Sequence, residues 1–220
     1  MKLDLATTSA RDAYKLMIEL VTPRPIGWVS TISPGGVTNL APFSFFNAIG
    51  ANPPSLCFSS ANRRDGSVKD TILNVEATRE FVVNVATYDL REAVNASSAE
   101  LPYEESEFGH CRLTPVPSER IRPPRVGEAK AHFECELIQI VRVGTGSLAA
   151  NLVIGRIVFM HVADEVLDER GGVDPHKLDT IGRMGGDGYA RTTDLFALPR
   201  PPRREASPDH GAGVKPKTSP

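Results

Sequence analysis

Hydroxyl side chains gather at the ends of two strand-like runs in this sequence. Ser30 and Thr31 lie near the end of the run from Ile26 to Ile32, Ser59 and Ser60 close the run from Leu56 to Ser60, and Lys69 and Thr71 fall in the first turn of a predicted helix. A phosphate monoester carries close to two negative charges at neutral pH and needs several donors. Hydroxyls, a helix N-terminus and a lysine supply them together, although Ser and Thr also simply end strands. Arg24, Arg63 and Arg64 are alternative phosphate partners, because a guanidinium can bind two oxygens at once. Any single one of them reads first as a solvated surface charge. Trp28, the only tryptophan, follows Gly27 and could offer a flat face to an aromatic ligand or fill the core.

Other chemistries find little support. His110, His132, His161, His176 and His210 have no metal-ligand spacing to one another, no metal is expected, and no G-x-S-x-G or other nucleophile motif is present. Cys57, Cys111 and Cys135 are an odd count without a C-x-x-C pair, which argues against a disulfide framework and against zinc. Each is expected as a small buried or half-buried thiol. With 25 basic and 27 acidic residues the net charge is -2, so no general attraction to nucleic acid or to an anionic membrane follows. A bound anion must therefore be held locally. The first residues carry Asp4 and Asp12 and no apolar run of signal-peptide length, and no stretch approaches the roughly 18 apolar residues of a membrane span. The expected compartment is the cytoplasm.

The elements that must position these groups can be read in order. Ser9 with Asp12 resembles a capping box, and Tyr14, Met17, Ile18 and Val21 recur at helical spacing until Pro23 interrupts. In the next run Ile26, Trp28, Ser30 and Ile32 share one strand face while Gly27, Val29, Thr31 and Ser33 share the other. Pro34, Gly35 and Gly36 signal a hairpin with a second strand near Val37. Val68, Ile72 and Val75 share a helix face that puts Lys69, Asp70 and Thr71 in its first turn. Phe81 to Thr87 is the clearest strand. Leu90 to Ser97 predicts another helix, and residues 102 to 124 a long excursion packed on the surface that could form part of a lid. Two further strands around Phe133 and from Asn151 to Val162 predict a hairpin through the Gly144 to Ala150 loop. Asp174 before Pro175 marks a helix start with Gly182 as its C-cap, and Gly185, Gly186 and Gly188 a turn ahead of Tyr189.

Strands dominate and no βαβ alternation with a G-x-G-x-x-G turn occurs, which speaks against a Rossmann fold. A closed antiparallel barrel with a few peripheral helices accounts for five to six short strands. Its single domain is expected over residues 1–201, followed over 202–220 by a disordered, Pro-rich polar tail with no apolar face to bury.

Taken together, RPIGWVST (Arg24 to Thr31), NLAPFSFFNA (Asn39 to Ala48), NPPSLCFSS (Asn52 to Ser60), KDTILN (Lys69 to Asn74) and EFVVN (Glu80 to Asn84) resemble the flavin reductase family of FMN-binding split barrels, in its flavoredoxin-like branch. NASSAELP (Asn95 to Pro102), LVIGRIV (Leu152 to Val158) and GRMGGDGYARTTDLFALPRP (Gly182 to Pro201) agree, and the resemblance covers roughly residues 10 to 201.

The resemblance implies a mainly β, six-stranded antiparallel Greek-key split barrel that forms a homodimer, with one FMN near each subunit interface. It assigns the flavin and its ribityl phosphate to Arg24, Trp28, Ser30, Thr31, Phe43, Ser44, Phe45, Phe46, Ser59, Ser60, Ala61, Lys69, Asp70 and Thr71. NAD(P)H as hydride donor, and a monooxygenase or electron-transfer partner as acceptor, are implied with it. One departure stands out. Short-chain reductases of this superfamily carry Gly-Asp-His where this chain has Ala149, Ala150 and Asn151, so that histidine's place is vacant or passes to Asn151, His161 or His110.

Overall fold

The first helix, α1 (Ala10–Leu20), begins at Ser9, whose hydroxyl oxygen accepts the Asp12 N–H at 3.1 Å and whose hydroxyl donates to the Asp12 carboxylate at 2.6 Å. This computed structural model describes residues 1–202. The chain continues through β1 (Arg24–Pro25), β2 (Gly27–Ile32), β3 (Thr38–Phe43), β4 (Phe46–Ala51) and β5 (Pro54–Ala61) to α2 (Asp70–Thr78) and β6 (Glu80–Val85). A 3-10 turn then leads into α3 (Arg91–Ala96), followed by α4 (Glu107–His110) and the short pair β7 (Pro115–Val116) and β8 (Arg125–Val126). The long hairpin β9 (Ala131–Val143) and β10 (Ala150–Val162) comes next. The described chain ends with α5 (Pro175–Leu178), β11 (Ile181–Arg183) and β12 (Tyr189–Arg191).

Seven strands form one antiparallel sheet in the order β3-β2-β6-β9-β10-β5-β4. The first and last strands of that order are consecutive in sequence, joined only by Ser44 and Phe45. The sheet must therefore curl until its edges meet at that turn, and register shifts in the β9–β10 pairing help it bend. The result is a split barrel whose seam lies between β3 and β4. The main sheet has seven strands where six were expected, because the region around Ser44 breaks into two strands.

Strand alternation sorts the core into two layers. Val29, Phe43, Phe58, Phe81, Cys135 and Val153 fill the barrel, and Ile72 and Val75 of α2 close it. Phe58 packs 4.9 Å from Phe43 and 5.3 Å from Phe81, ring centre to ring centre. At Gly155 a Cβ would sit 2.4 Å from the Phe81 ring, so only glycine lets that ring reach the barrel wall. Trp28, Leu40, Val94, Phe108, Val126 and Ile181 form a second cluster on the outer face. Residues 102–124, expected on the surface, contribute buried Phe108 to this packing and bury Ile121 as well.

The outer layer is fastened by Asn84, which is fully buried. Its amide donates to the Trp28 carbonyl at 2.9 Å and to Ser30 Oγ at 3.2 Å, and its carbonyl accepts the Val126 N–H at 2.8 Å. His132 lies nearby with Nε2 at 2.8 Å from the Val126 carbonyl and a buried Nδ1 that has no partner among the described residues. Glu134, on the same face of β9, accepts the Glu119 and Arg120 N–H groups, each at 2.8 Å, and lies 2.6 Å from His161 Nε2. Burial alone would raise its pKa, but the Glu119 N–H, His161 and the Arg120 N–H hold it below the ordinary value.

Most predicted elements are present. One correction concerns the helix after Asp174: Asp174 does cap its start, but it ends at Asp179 in the left-handed region (φ 53°), while Gly182 belongs to β11. The three cysteines are free and buried or half-buried, as expected. The expected tail lies, from residue 203 on, outside the described residues.

Asn84→Ala removes three buried hydrogen bonds, leaving the Val126 N–H without its partner, and is expected to cost about 3 kcal/mol. Urea unfolding checks this, with a thermal midpoint lower by about 6–12 °C. Burial pushes His132 down from 6.5 to about 4, so the unfolded chain takes up its proton first as pH falls. Stability present above 6.5 is lost towards pH 4, by about 3 kcal/mol. His132→Gln should remove that part of the acid-side slope in unfolding free energy measured across pH.

Candidate functional site at the barrel seam

Helix α2 begins without a side chain able to cap it. Lys69 occupies the N-cap with extended backbone and no capping hydrogen bond, and nearby Ser67 is spent on Asp65 at 2.7 Å. Ile72 and Leu73 donate to the Lys69 carbonyl at 2.9 and 3.2 Å, while the Asp70 and Thr71 N–H groups have no partner among the described residues. Such a helix start attracts an anion through its free donors and dipole.

A cleft of about 60 Å³ lies there, bordered by Asn39, Pro42, Arg63, Lys69, Thr71 and Ser98. Thr71 Oγ1 accepts from the Asn39 amide at 3.2 Å. Arg63 pairs with Asp70 at 2.8 Å, and with Arg64 it also borders an adjoining hollow. Lys69 has no ion-pair partner among the described residues. Glu100 and Glu107 border the cleft too. Glu107 accepts the Leu40 N–H at 2.8 Å, and burial raises its pKa, which favours its neutral form.

The apolar end of the seam is the turn from Phe43 to Phe46. The Phe45 carbonyl accepts the Ser59 N–H at 2.7 Å, and Phe46 pairs with Phe58 across β4 and β5. Phe46 lies so close to Gly27 that a Cβ there would come within 2.7 Å of its ring. Phe43 is buried in the barrel, Phe45 is exposed beside Tyr14, and a cavity of about 220 Å³ opens at Phe46, Ile26, Val85 and Ile181. Strand β5 connects the two ends. Ser59 and Ala61 are half-buried, whereas Ser60 is 1% exposed with a hydroxyl that has no partner among the described residues.

The structure gathers Ser59, Ser60 and Ala61 on one strand beside the Phe43 to Phe46 turn, and Lys69, Asp70 and Thr71 on one helix start. It separates others. Trp28 and Ser30 point to the outer layer, because alternation sends them away from the barrel interior. The Trp28 ring is fully buried and its Nε1 donates to Ser97 Oγ at 2.8 Å, while Ser30 Oγ donates to the Pro124 carbonyl at 2.5 Å. Trp28 therefore props the Ser97 wall of the cleft and offers no open face. Thr31 faces α2 and accepts from the Asn74 amide at 3.0 Å.

Arg24 is engaged by the protein itself. Its guanidinium is spent on the carbonyls of Ile18, Val21 (2.8 Å) and Met184 (2.9 Å), and its Nε donates to Ser44 Oγ at 3.3 Å. The three residues named for the vacant histidine's place are each engaged by the protein or exposed. His161 is held by Glu134, and His110 is exposed at the end of α4. Asn151 is buried, donating to the Ser60 carbonyl at 3.1 Å and Asn62 Oδ1 at 2.7 Å. Asn39, Ser97 and Glu107 were missed as site residues. The polar Asn39 inside an apolar strand was the signal for the first, while the other two come from segments distant in sequence.

A family model described as flavin reductase like domain matches residues 20–178. An uncharacterized protein of Aquifex aeolicus is 42% identical over 191 residues, which are 87% of this chain and 95% of the relative. The crystal structure of nitrilotriacetate monooxygenase component B from Bacillus cereus is similar at 36% identity and a TM-score of 0.85, with 90% of this chain and 98% of that chain covered. That of 2-nitrobenzoate 2-nitroreductase NbaA from Pseudomonas fluorescens is similar at 30% and 0.81, covering 91% and 96%. With the family model covering more than half of its residues, this chain belongs to the flavin reductase-like domain family.

Proposed function

We propose that this protein binds FMN at the seam and transfers a hydride from NAD(P)H to it. When bound, FMN supplies the two-electron redox chemistry. The observation that carries the reading is the uncapped start of α2, where free Asp70 and Thr71 N–H groups, the unpaired Lys69 ammonium and the cleft converge. These residues fit a phosphate: N–H groups and Lys69 donate to its oxygens, and Arg63 adds charge beside them. Backbone groups at Ser44 and Phe45 can hydrogen-bond the polar edge of the ring system, and Phe46 gives apolar contact. No general acid or base is assigned, since a hydride transfer needs positioning more than proton movement.

Related domains named as a monooxygenase component and a nitroreductase support a role in supplying or using reduced flavin. A homodimer fits the apolar side chains exposed around the seam, including Tyr14, Met17, Phe45 and Ile49. No helix among the described residues is long and apolar enough to cross a membrane.

A second reading has one observation in its favour. Asn151 spends its amide on Ser60 and Asn62 and His161 is held by Glu134, which favours a flavoredoxin-like carrier that would receive electrons from a protein. Anaerobic mixing with NADH and NADPH separates the two: flavin bleaching is expected, and its absence with both overturns the reductase reading in favour of the carrier. Lys69→Ala is expected to weaken FMN binding about tenfold, measured by fluorescence titration, and riboflavin binding by less than twofold. Equal weakening of both would place Lys69 elsewhere.

A further inference from the structure

On β11, Ile181 borders two cavities: the one at Phe46 and a second of about 500 Å³ on the side of α3. The second is lined by Tyr88, Arg91, Asn95, Arg183, Tyr189 and Arg191, with acidic Glu92 and Asp187 at its border. Its guanidiniums lie over aromatic rings. Arg91 and Arg191 lie 4.3 and 4.1 Å from the centre of the Tyr88 ring, and Arg183 lies 4.5 Å from that of Tyr189.

These three cations are not equally engaged. Arg191 makes a two-pronged pair with Asp179, both bonds 2.7 Å. Arg91 donates to the Tyr88 carbonyl at 2.9 Å and has Glu92 as its one carboxylate neighbour among the described residues, at 3.6 Å with a side chain 86% exposed. Arg183 has no carboxylate partner among the described residues and one long bond to the Gly188 carbonyl at 3.4 Å. The cavity thus offers guanidinium forks with donors to spare beside aromatic rings, while the two acids that also line it, Glu92 and Asp187, are exposed. Forked donors match phosphate oxygens and a tyrosine ring matches a planar base, which together describe a nucleotide. The volume lies within the range of small-molecule sites.

We infer that this cavity receives the adenosine diphosphate end of the pyridine dinucleotide, with Arg183 and Arg91 on the pyrophosphate and Tyr189 against the base. The inference rests on the reductase reading only in naming the dinucleotide. Its place across Ile181 from the Phe46 cavity puts the nicotinamide end toward the seam.

Isothermal titration of the purified protein with ADP tests it without turnover. ADP is expected to bind the wild type with a dissociation constant below about 1 mM, to bind Arg183→Ala at least tenfold more weakly, and to bind Arg91→Ala, altered on the exposed α3, several-fold more weakly. Arg183→Lys keeps the charge without the fork and should fall between. FMN affinity should stay within twofold in all, and KM for the dinucleotide should rise with kcat little changed. No heat with the wild type up to 5-fold above ~1 mM ADP, or equal binding by wild type and both alanine variants, overturns the site. ADP binding through Arg183 in a protein whose flavin no pyridine nucleotide bleaches would uphold the nucleotide site and overturn the reductase reading instead.

Discussion

Arg24 is a buried cation with no carboxylate partner among the described residues. Its charge is answered by backbone carbonyls at the end of α1 and before the β11–β12 turn, and by the hydroxyl of Ser44. Hydrogen bonds from a charged donor are stronger than neutral ones, and a helix C-terminus favours a cation. Helix α1 buries none of its residues and has no basic residue in its last turn, so this guanidinium does what packing and self-capping do elsewhere. One side chain therefore fastens three distant segments around the same seam. The turn holding Phe43 to Phe46, the wall at Ile181 and the entry helix are positioned together.

The other end of the seam obeys a different constraint. A helix start that lacks its own cap leaves donors facing the cleft, and the surrounding charges decide what can satisfy them. Lys69 and Arg63 favour an anion, Asp70 is neutralised by Arg63, and Glu107 is driven towards its neutral form by burial. Its carboxylate is also committed to Leu40. Asp70 and Glu107 are thus committed to the protein and Glu100 is exposed, whereas Lys69 and the Asp70 and Thr71 N–H groups have no partner among the described residues.

Much of this was legible in the residues. Ser9 with Asp12, Asp174 with Pro175 and the Pro34 to Gly36 turn announced local structure because each acts within a few residues. The face assignment of β2 was also readable, yet its consequence for the site was not. Trp28 and Ser30 face the outer layer and Thr31 faces α2, because neighbours on a strand point apart. What sequence could not reveal were partners brought from far away: Ser97 for Trp28, Pro124 for Ser30, Met184 for Arg24. Arg24 is ambiguous in sequence for the same reason, since a guanidinium suits carbonyls as well as phosphate and only the fold shows that it meets carbonyls here.

The commitment of Glu107 to Leu40 reaches beyond the cleft. Leu40 lies on β3, a rim of the large sheet, and its N–H faces away from β2. Two residues on, Pro42 has no N–H to give. That rim is therefore stoppered against the addition of a further strand. The opposite rim, β4, has no such plug, and its residues after Phe46 are exposed. Growth of the sheet by in-plane pairing is thus blocked on one side by a carboxylate and an imino acid, and left open on the other.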